Sequence, residues 1–149
     1  PHHGDVALLD PHGTLSGTDP DACCDIRKVR PLERALAGFD AVLSGRKRYH
    51  GEDREQLAGV SRDRKGRVKA EPLAGYDAQA IAGYLKRHDL PPHPLFEQGY
   101  LSIGCADCTQ RGGSADNPRA GRWAGQDKTE CGIHLSADGK LVRNLENGV

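Results

Sequence analysis

The residues of this chain best suited to chemistry are its five cysteines, and they fall into three arrangements. Cys23 and Cys24 are adjacent, Cys105 and Cys108 frame the tetrapeptide CADC, and Cys131 stands alone in KTECGIH, Lys128 to His134. A C-x-x-C sets two sulfurs on one side of a turn, the right separation for a shared metal centre or a redox disulfide. Adjacent cysteines do not readily bridge each other, and a structural zinc site normally draws on two spaced pairs. Four converging thiolates suit an iron–sulfur cube, whose larger frame takes ligands from neighbouring residues. On spacing alone, zinc, a redox CADC beside an unrelated pair, and separate buried thiols all stay open.

Cys131 belongs to none of these pairs. Only a thiolate attacks, and Lys128 and a protonated His134 are cations that favour that form. Gly132 lets the chain bend beside it. The bland alternative is a surface cysteine of no consequence. Upstream, NPRAGRW sets Arg119 and Arg122 three apart with Trp123 next to them. Arginines at that spacing can converge on a phosphate or sulfate, or simply form a solvated basic turn. Lys47 and Arg48 have the same two readings. Their place after the apolar stretch AVLSG favours a ligand, because open α/β sheets bind ligands at strand ends.

The elements that must position these groups are modest. Residues 1–21 hold one apolar run, VALL, among turn-formers and read as a frayed entry segment. The pattern after Cys24 predicts a helix that begins at Pro31 and stops at Gly38. AVLS, 41–44, reads as a buried strand. Residues 60–69 alternate around Lys65 and Gly66 and predict a hairpin. Asp77 suits the N-cap of a helix over 77–88, with Ala80, Ile81, Tyr84 and Leu85 on one face, and the prolines of LPPHPL end it. The order of strand, basic loop, helix and irregular cysteine-bearing segments predicts part of an α/β domain with a C-terminal extension.

Composition sets the limits. With 36% hydrophobic and 5% aromatic residues the chain buries only a modest core. Its 21 acidic and 21 basic residues cancel, so bulk charge points to neither nucleic acid nor membrane. No run is long enough to span a bilayer. An odd cysteine count fits poorly with a closed disulfide framework and favours a reducing, cytoplasmic setting. The chain opens on Pro1 and contains no Met, which leads us to expect a fragment of a longer protein.

Taken together, CCDIRKVRPLERAL, SGRKR, VKAEPLAGY, LPPHPLFEQGYLSIGCADCT, RAGRW and KTECGIH resemble, in order, the assimilatory sulfonucleotide reductases, the adenylyl-sulfate/phosphoadenylyl-sulfate reductase family. The resemblance spans about residues 22–135. It implies the C-terminal part of an adenine-nucleotide alpha-hydrolase-like (PP-loop) α/β domain. Residues 1–111 would form a partial sulfonucleotide-binding domain with the cluster ligands, and 112–149 a flexible C-terminal tail with the nucleophile. It also implies a [4Fe-4S] cluster on Cys23, Cys24, Cys105 and Cys108. Relatives that keep all four ligands typically reduce adenosine 5′-phosphosulfate, and those lacking them use the 3′-phosphorylated form.

By the same resemblance, Cys131 attacks the sulfonucleotide, forms an S-sulfocysteine and is released by thioredoxin or glutaredoxin. The implied substrate-binding residues are Lys28, Lys47, Arg48, Arg54, Arg119, Arg122 and His134. The resemblance allows a homo-oligomer. Two departures stand out: no phosphate-binding loop of the Ser-Gly-Gly-x-Asp type occurs, and Val42 and His50 stand where an aromatic and a glutamine are common. Without that loop the chain alone is expected to bind substrate poorly and to be inactive. Two other classes compete: a structural zinc module, and an α/β pyrophosphatase-type enzyme that activates carboxylates or sulfur with ATP.

Overall fold

A computed structural model describes residues 1–51, 54–63 and 65–133. His134 and the residues after it lie outside the described residues. The elements run α1 (His3–Leu9), α2 (Leu15–Thr18), α3 (Pro20–Cys24), α4 (Arg30–Ala35), β1 (Ala41–Leu43), β2 (Val60–Arg62), β3 (Val68–Ala70) and α5 (Ala78–Arg87). A π-helical turn, Asp25–Val29, joins α3 to α4, and short 3₁₀ turns cover Arg48–His50 and Ala106–Cys108. This is the mixed helix-and-sheet content expected of an α/β protein. No helix among the described residues is long and apolar enough to cross a membrane.

The entry segment is not frayed. It folds because Asp10, between α1 and α2, accepts hydrogen bonds from Thr14 N (2.8 Å) and Leu15 N (3.2 Å) and so caps the start of α2. Asp19 then caps α3 by accepting from Ala22 N at 2.9 Å, with Pro20 in the first turn, where its missing N–H costs nothing.

The helix expected from Pro31 in fact starts at Pro20, and Pro31 sits inside a continuous helical run. A proline there removes an amide donor and crowds the preceding turn. The chain answers with the π-helical turn, in which Arg30 N bonds Asp25 O five residues back. Gly38 ends the run with φ of 87°, as its position suggested.

The sheet order is β1-β3-β2, so β1 is an edge. The hairpin between β2 and β3 forms as expected. Asp63 Oδ1 accepts from Lys65 N and Arg67 N at 2.8 and 3.0 Å, and Gly66 takes a positive φ of 79°. The expectation of a buried strand at 41–44 is corrected: Leu43 is 76% exposed, because its side chain points to a sheet face that the described residues leave uncovered there. Helix α5 has its Asp77 cap, with Ala80 N donating at 2.7 Å. Its apolar face is only partly covered; Ile81 and Leu85 are half-buried, Ala80 and Tyr84 exposed.

Contacts divide the chain into two compact units. The first takes Pro1–Val42, Arg62–Val68 and residues 130–133 of the last stretch, with Cys24, Ile26 and Cys131 in its core. The second takes Leu43–Ser61 and Lys69–Thr129, with Leu57, Ala74 and Trp123 buried. The cysteine pairs and the basic residues are distributed between them, and each unit is described in its own terms.

Candidate functional site

In the first unit, Cys23 and Cys24 occupy the last turn of α3, Cys24 buried and Cys23 half-buried. The π-helical turn that follows carries Lys28 on the same helical run, four residues beyond Cys24 and half-buried. Arg27 Nη1 donates to Cys23 Sγ at 3.6 Å. Cys131 lies in this unit too, only 9% exposed, beside the buried Glu130. Gly132 has φ of 83°, and a Cβ added there would come within 3.3 Å of Val29 Cγ2. The cysteine segment therefore packs on the helical run that bears the vicinal pair.

In the second unit the CADC turn and the RAGRW segment are stitched together. Cys105 and Cys108 stand at either end of one 3₁₀ turn, closed by Cys108 N donating to Cys105 O at 3.2 Å. Cys108 O in turn accepts from Trp123 N at 3.1 Å and from Arg122 Nε at 3.4 Å. Gln110 N donates to Gly121 O at 2.7 Å. Two glycines make this approach feasible: a Cβ on Gly104 would collide with the Arg122 guanidinium, and one on Gly121 with Gln110 O. Arg122 thus sits against the C-x-x-C turn, a neighbourhood that sequence separation concealed.

Trp123 is the centre of this region, buried to 3% exposure and held at φ of 48°. The Arg122 guanidinium lies 4.4 Å from its ring centre, Arg119 5.9 Å and the Lys128 ammonium 5.8 Å. Three cations around one indole exploit its negative π surface and hold the two arginines in place. Arg119 is itself buried, with Nη2 donating to Thr129 O. The bland reading of R-x-x-R as a solvated turn does not apply to Arg119.

A second basic group forms after β1. Lys47 Nζ donates to Gly45 O at 2.9 Å, Arg48 Nε to Leu57 O at 2.8 Å, and the buried Arg54 lies 3.3 Å from His50 Nδ1. Burial, and then the positive charge of Arg54, push the Lys47 ammonium below the ordinary lysine range. Just before Lys47 and Arg48, Arg46 donates from Nε and Nη2 to one oxygen of Glu71, a residue 1% exposed. The other oxygen, Oε2, has no hydrogen-bond partner among the described residues. Arg48 N bonds Ala74 O at 3.1 Å, so the basic loop is tied to the turn after β3 through backbone and side chain alike. Neither Arg46 nor Glu71 stood out in the sequence. A buried arginine and a glutamate twenty-five residues apart leave no local pattern to read.

All five cysteines are free thiols. Among the described residues, no group of three or more His, Cys, Asp or Glu side chains stands ready to hold a metal ion. The donor chemistry nonetheless suits an iron–sulfur centre: two thiol pairs, each carried on a single turn, one of them with a charged hydrogen-bond donor on its sulfur.

The phosphoadenosine phosphosulfate reductase domain profile matches residues 8–111. The chain belongs to the phosphoadenosine phosphosulfate reductase family. It is similar to the adenosine 5′-phosphosulfate reductase of Mesorhizobium japonicum, 46% identical over 136 residues, which is 91% of this chain and 53% of that protein. It is also similar to the enzyme of that name from Streptomyces coelicolor, 45% identical over 121 residues, 80% of this chain and 51% of the relative. Among solved structures it resembles the phosphoadenylyl-sulfate reductase of Candida auris in its phosphate complex, with a TM-score of 0.54 and 29% identity over 65% of this chain and 47% of that one. The chain therefore spans about half the length of the reductases it matches. Membership of this family places the chain in the α/β, PP-loop-like class. The profile takes in the vicinal pair, the loop after β1 and the CADC turn, whereas Arg119, Arg122 and Cys131 lie beyond it.

Proposed function

We propose that this chain supplies the nucleophile and the metal-binding thiols of a sulfonucleotide reductase, which converts adenosine 5′-phosphosulfate to sulfite and AMP during sulfate assimilation towards cysteine, in the cytoplasm. The similarity to the Mesorhizobium japonicum adenosine 5′-phosphosulfate reductase, over nine-tenths of this chain, carries the reading. Reduction of the 3′-phosphorylated substrate by the same route is the alternative, favoured by the likeness to the Candida auris reductase.

The chemistry needs one thiol here and a dithiol partner. The Cys131 thiolate attacks the sulfonate sulfur, a sulfur–sulfur bond forms, and the sulfur–oxygen bond breaks with its electron pair leaving on AMP. A thioredoxin or glutaredoxin thiolate next attacks Cys131 Sγ and expels sulfite. The second partner thiol resolves the mixed disulfide, so the partner is oxidised and Cys131 returns as a thiol. At 9% exposure Cys131 meets neither reactant as it stands. The segment that bears Cys131 acts in this proposal as an arm that first delivers it to the nucleotide and then uncovers it for the protein partner.

Charge develops on the leaving phosphate as the sulfur–oxygen bond breaks. Fixed cations aimed at its oxygens stabilise that state. Lys47, Arg48, Arg54, Arg119 and Arg122 are the candidates in the second unit, Lys28 in the first and His134 in the last segment. Arg119 and Arg122 are held ready by Trp123, so little ordering remains to be done on binding. Cys23, Cys24, Cys105 and Cys108 would hold a [4Fe-4S] cluster, which when bound supplies a fixed charge near the polyanion.

The test uses the full-length protein, purified without oxygen and incubated with adenosine 5′-[³⁵S]phosphosulfate. Label on protein that thioredoxin releases as sulfite supports the reading, and preference between the two nucleotides follows from the same assay. A colourless zinc protein that takes no label would instead establish the structural module.

Lys47 gives this site a pH signature. A phosphate group binds the protonated ammonium, and the free protein holds that proton less firmly than an ordinary lysine near 10.4. The AMP affinity of the full-length protein, measured by calorimetry, should therefore decline with rising pH, beginning below the ordinary lysine range. Lys47→Arg, which keeps its charge throughout, should flatten the decline. An identical pH profile in the two proteins removes Lys47 from the site.

A further inference from the structure

Asp10 is an unusual carboxylate for a short loop between two helices, because its side chain is only 2% exposed. Oδ1 accepts from Thr14 N and Leu15 N, and Oδ2 accepts from Arg27 Nη2 at 2.6 Å. Burial pushes this carboxyl up, yet the backbone and guanidinium donors outweigh it and hold it below the ordinary carboxylate value. The Arg27 guanidinium is thereby fixed from one side. Its other terminal nitrogen, Nη1, donates to Cys23 Sγ at 3.6 Å. Cys23 and Arg27 are four residues apart on one helical run, so the backbone already sets them on one face.

An ordinary surface ion pair explains none of this. Such pairs involve two solvated, mobile side chains and contribute little. Here a buried acid, capped by backbone amides, orients an arginine whose second fork ends on a sulfur. Partners that lie behind a metal ligand fix its direction and share its charge, and hydrogen bonds to the sulfurs are one of the means by which proteins tune an iron–sulfur centre.

We infer that Asp10 and Arg27 are positioning residues for Cys23: Asp10 locks the guanidinium, and Arg27 donates an N–H···S hydrogen bond to Cys23 as a ligand of the iron–sulfur centre proposed above, on which this inference rests. Asp10 acts only through Arg27. Neither residue touches the nucleotide.

The experiment follows the full chain, purified anaerobically, by visible absorbance while a ferrous chelator strips its iron, with visible circular dichroism recorded beforehand. Arg27→Met should lose iron roughly tenfold faster than wild type, the loss typical of removing a partner behind a metal ligand. It should also alter the visible dichroism. Arg27→Lys, which keeps a cation, should recover part of both. Asp10→Asn should fall between wild type and Arg27→Met, and the double variant should strip no faster than Arg27→Met alone.

All rates are taken well below the unfolding midpoint of each iron-free protein, where a role in stability alone leaves rate and dichroism unchanged. Equal rates and identical dichroism for wild type and Arg27→Met overturn the strut and leave the iron–sulfur reading intact. A double variant that strips faster than Arg27→Met overturns the part assigned to Asp10. Wild-type protein without iron overturns the iron–sulfur reading and the strut with it.

Discussion

Replacing Cys131 by serine in the full-length protein should reduce sulfite formation to background, a loss of at least about a thousandfold, as expected when a covalent nucleophile is removed. A serine hydroxyl is scarcely ionised near neutral pH. More decisively, it cannot form the sulfur–sulfur bond that a partner dithiol later cleaves. The variant should also fail to accept ³⁵S label, while its affinity for AMP stays within about twofold of wild type, since Cys131 contributes no charge to phosphate binding. Parallel loss of labelling and retention of AMP binding separates a missing nucleophile from a misfolded site. Thioredoxin-releasable label on the serine variant would remove Cys131 from the mechanism. Full activity in that variant would point to the ATP-dependent alternative, which needs no cysteine there.

The second large effect is structural. Glu71→Ala leaves the Arg46 guanidinium buried without its carboxylate, and such a change typically costs about 3–5 kcal/mol. Urea unfolding of the full chain measures it as a lowered midpoint at unchanged slope. Replacing both partners with apolar residues of similar size, Arg46→Met with Glu71→Leu, should be far milder than Glu71→Ala alone, because no stranded charge remains. The single variant should also weaken AMP binding, since Arg46 directly precedes Lys47 and Arg48 in the chain. A Glu71→Ala protein within about 1 kcal/mol of wild type would show that water reaches Arg46 readily and that the pair is not a buried one.

Both predictions rest on residues whose legibility differs sharply. Cys131 could be singled out from its neighbours alone. Glu71 could not, because its partner lies twenty-five residues away, on the far side of the hairpin. The same contrast runs through the fold. Asp77, Gly38 and the Asp63–Gly66 turn were readable because caps and left-handed glycines act within a few residues. The helical run from Pro20 was misread at Pro31, since the compensating π-helical turn has no composition of its own. Strand β1 was read as buried on hydrophobicity. Burial, however, depends on what lies over a strand, and here Leu43 stays open to solvent.

The sequence by itself determined the donor types and their local spacing: two thiol pairs, one isolated thiol, and basic residues in short clusters. It also carried the family, since ordered motifs survive in primary structure. Only the tertiary structure decided which of these groups meet. It set Arg122 and Trp123 against the Cys108 carbonyl, gathered Arg119, Arg122 and Lys128 around one indole, covered Cys131, and aimed Arg27 from Asp10 onto Cys23. The reason is physical. A cation's orientation and a thiol's exposure are set by packing and hydrogen bonds between segments distant along the chain, and such long-range contacts leave no periodicity or spacing behind.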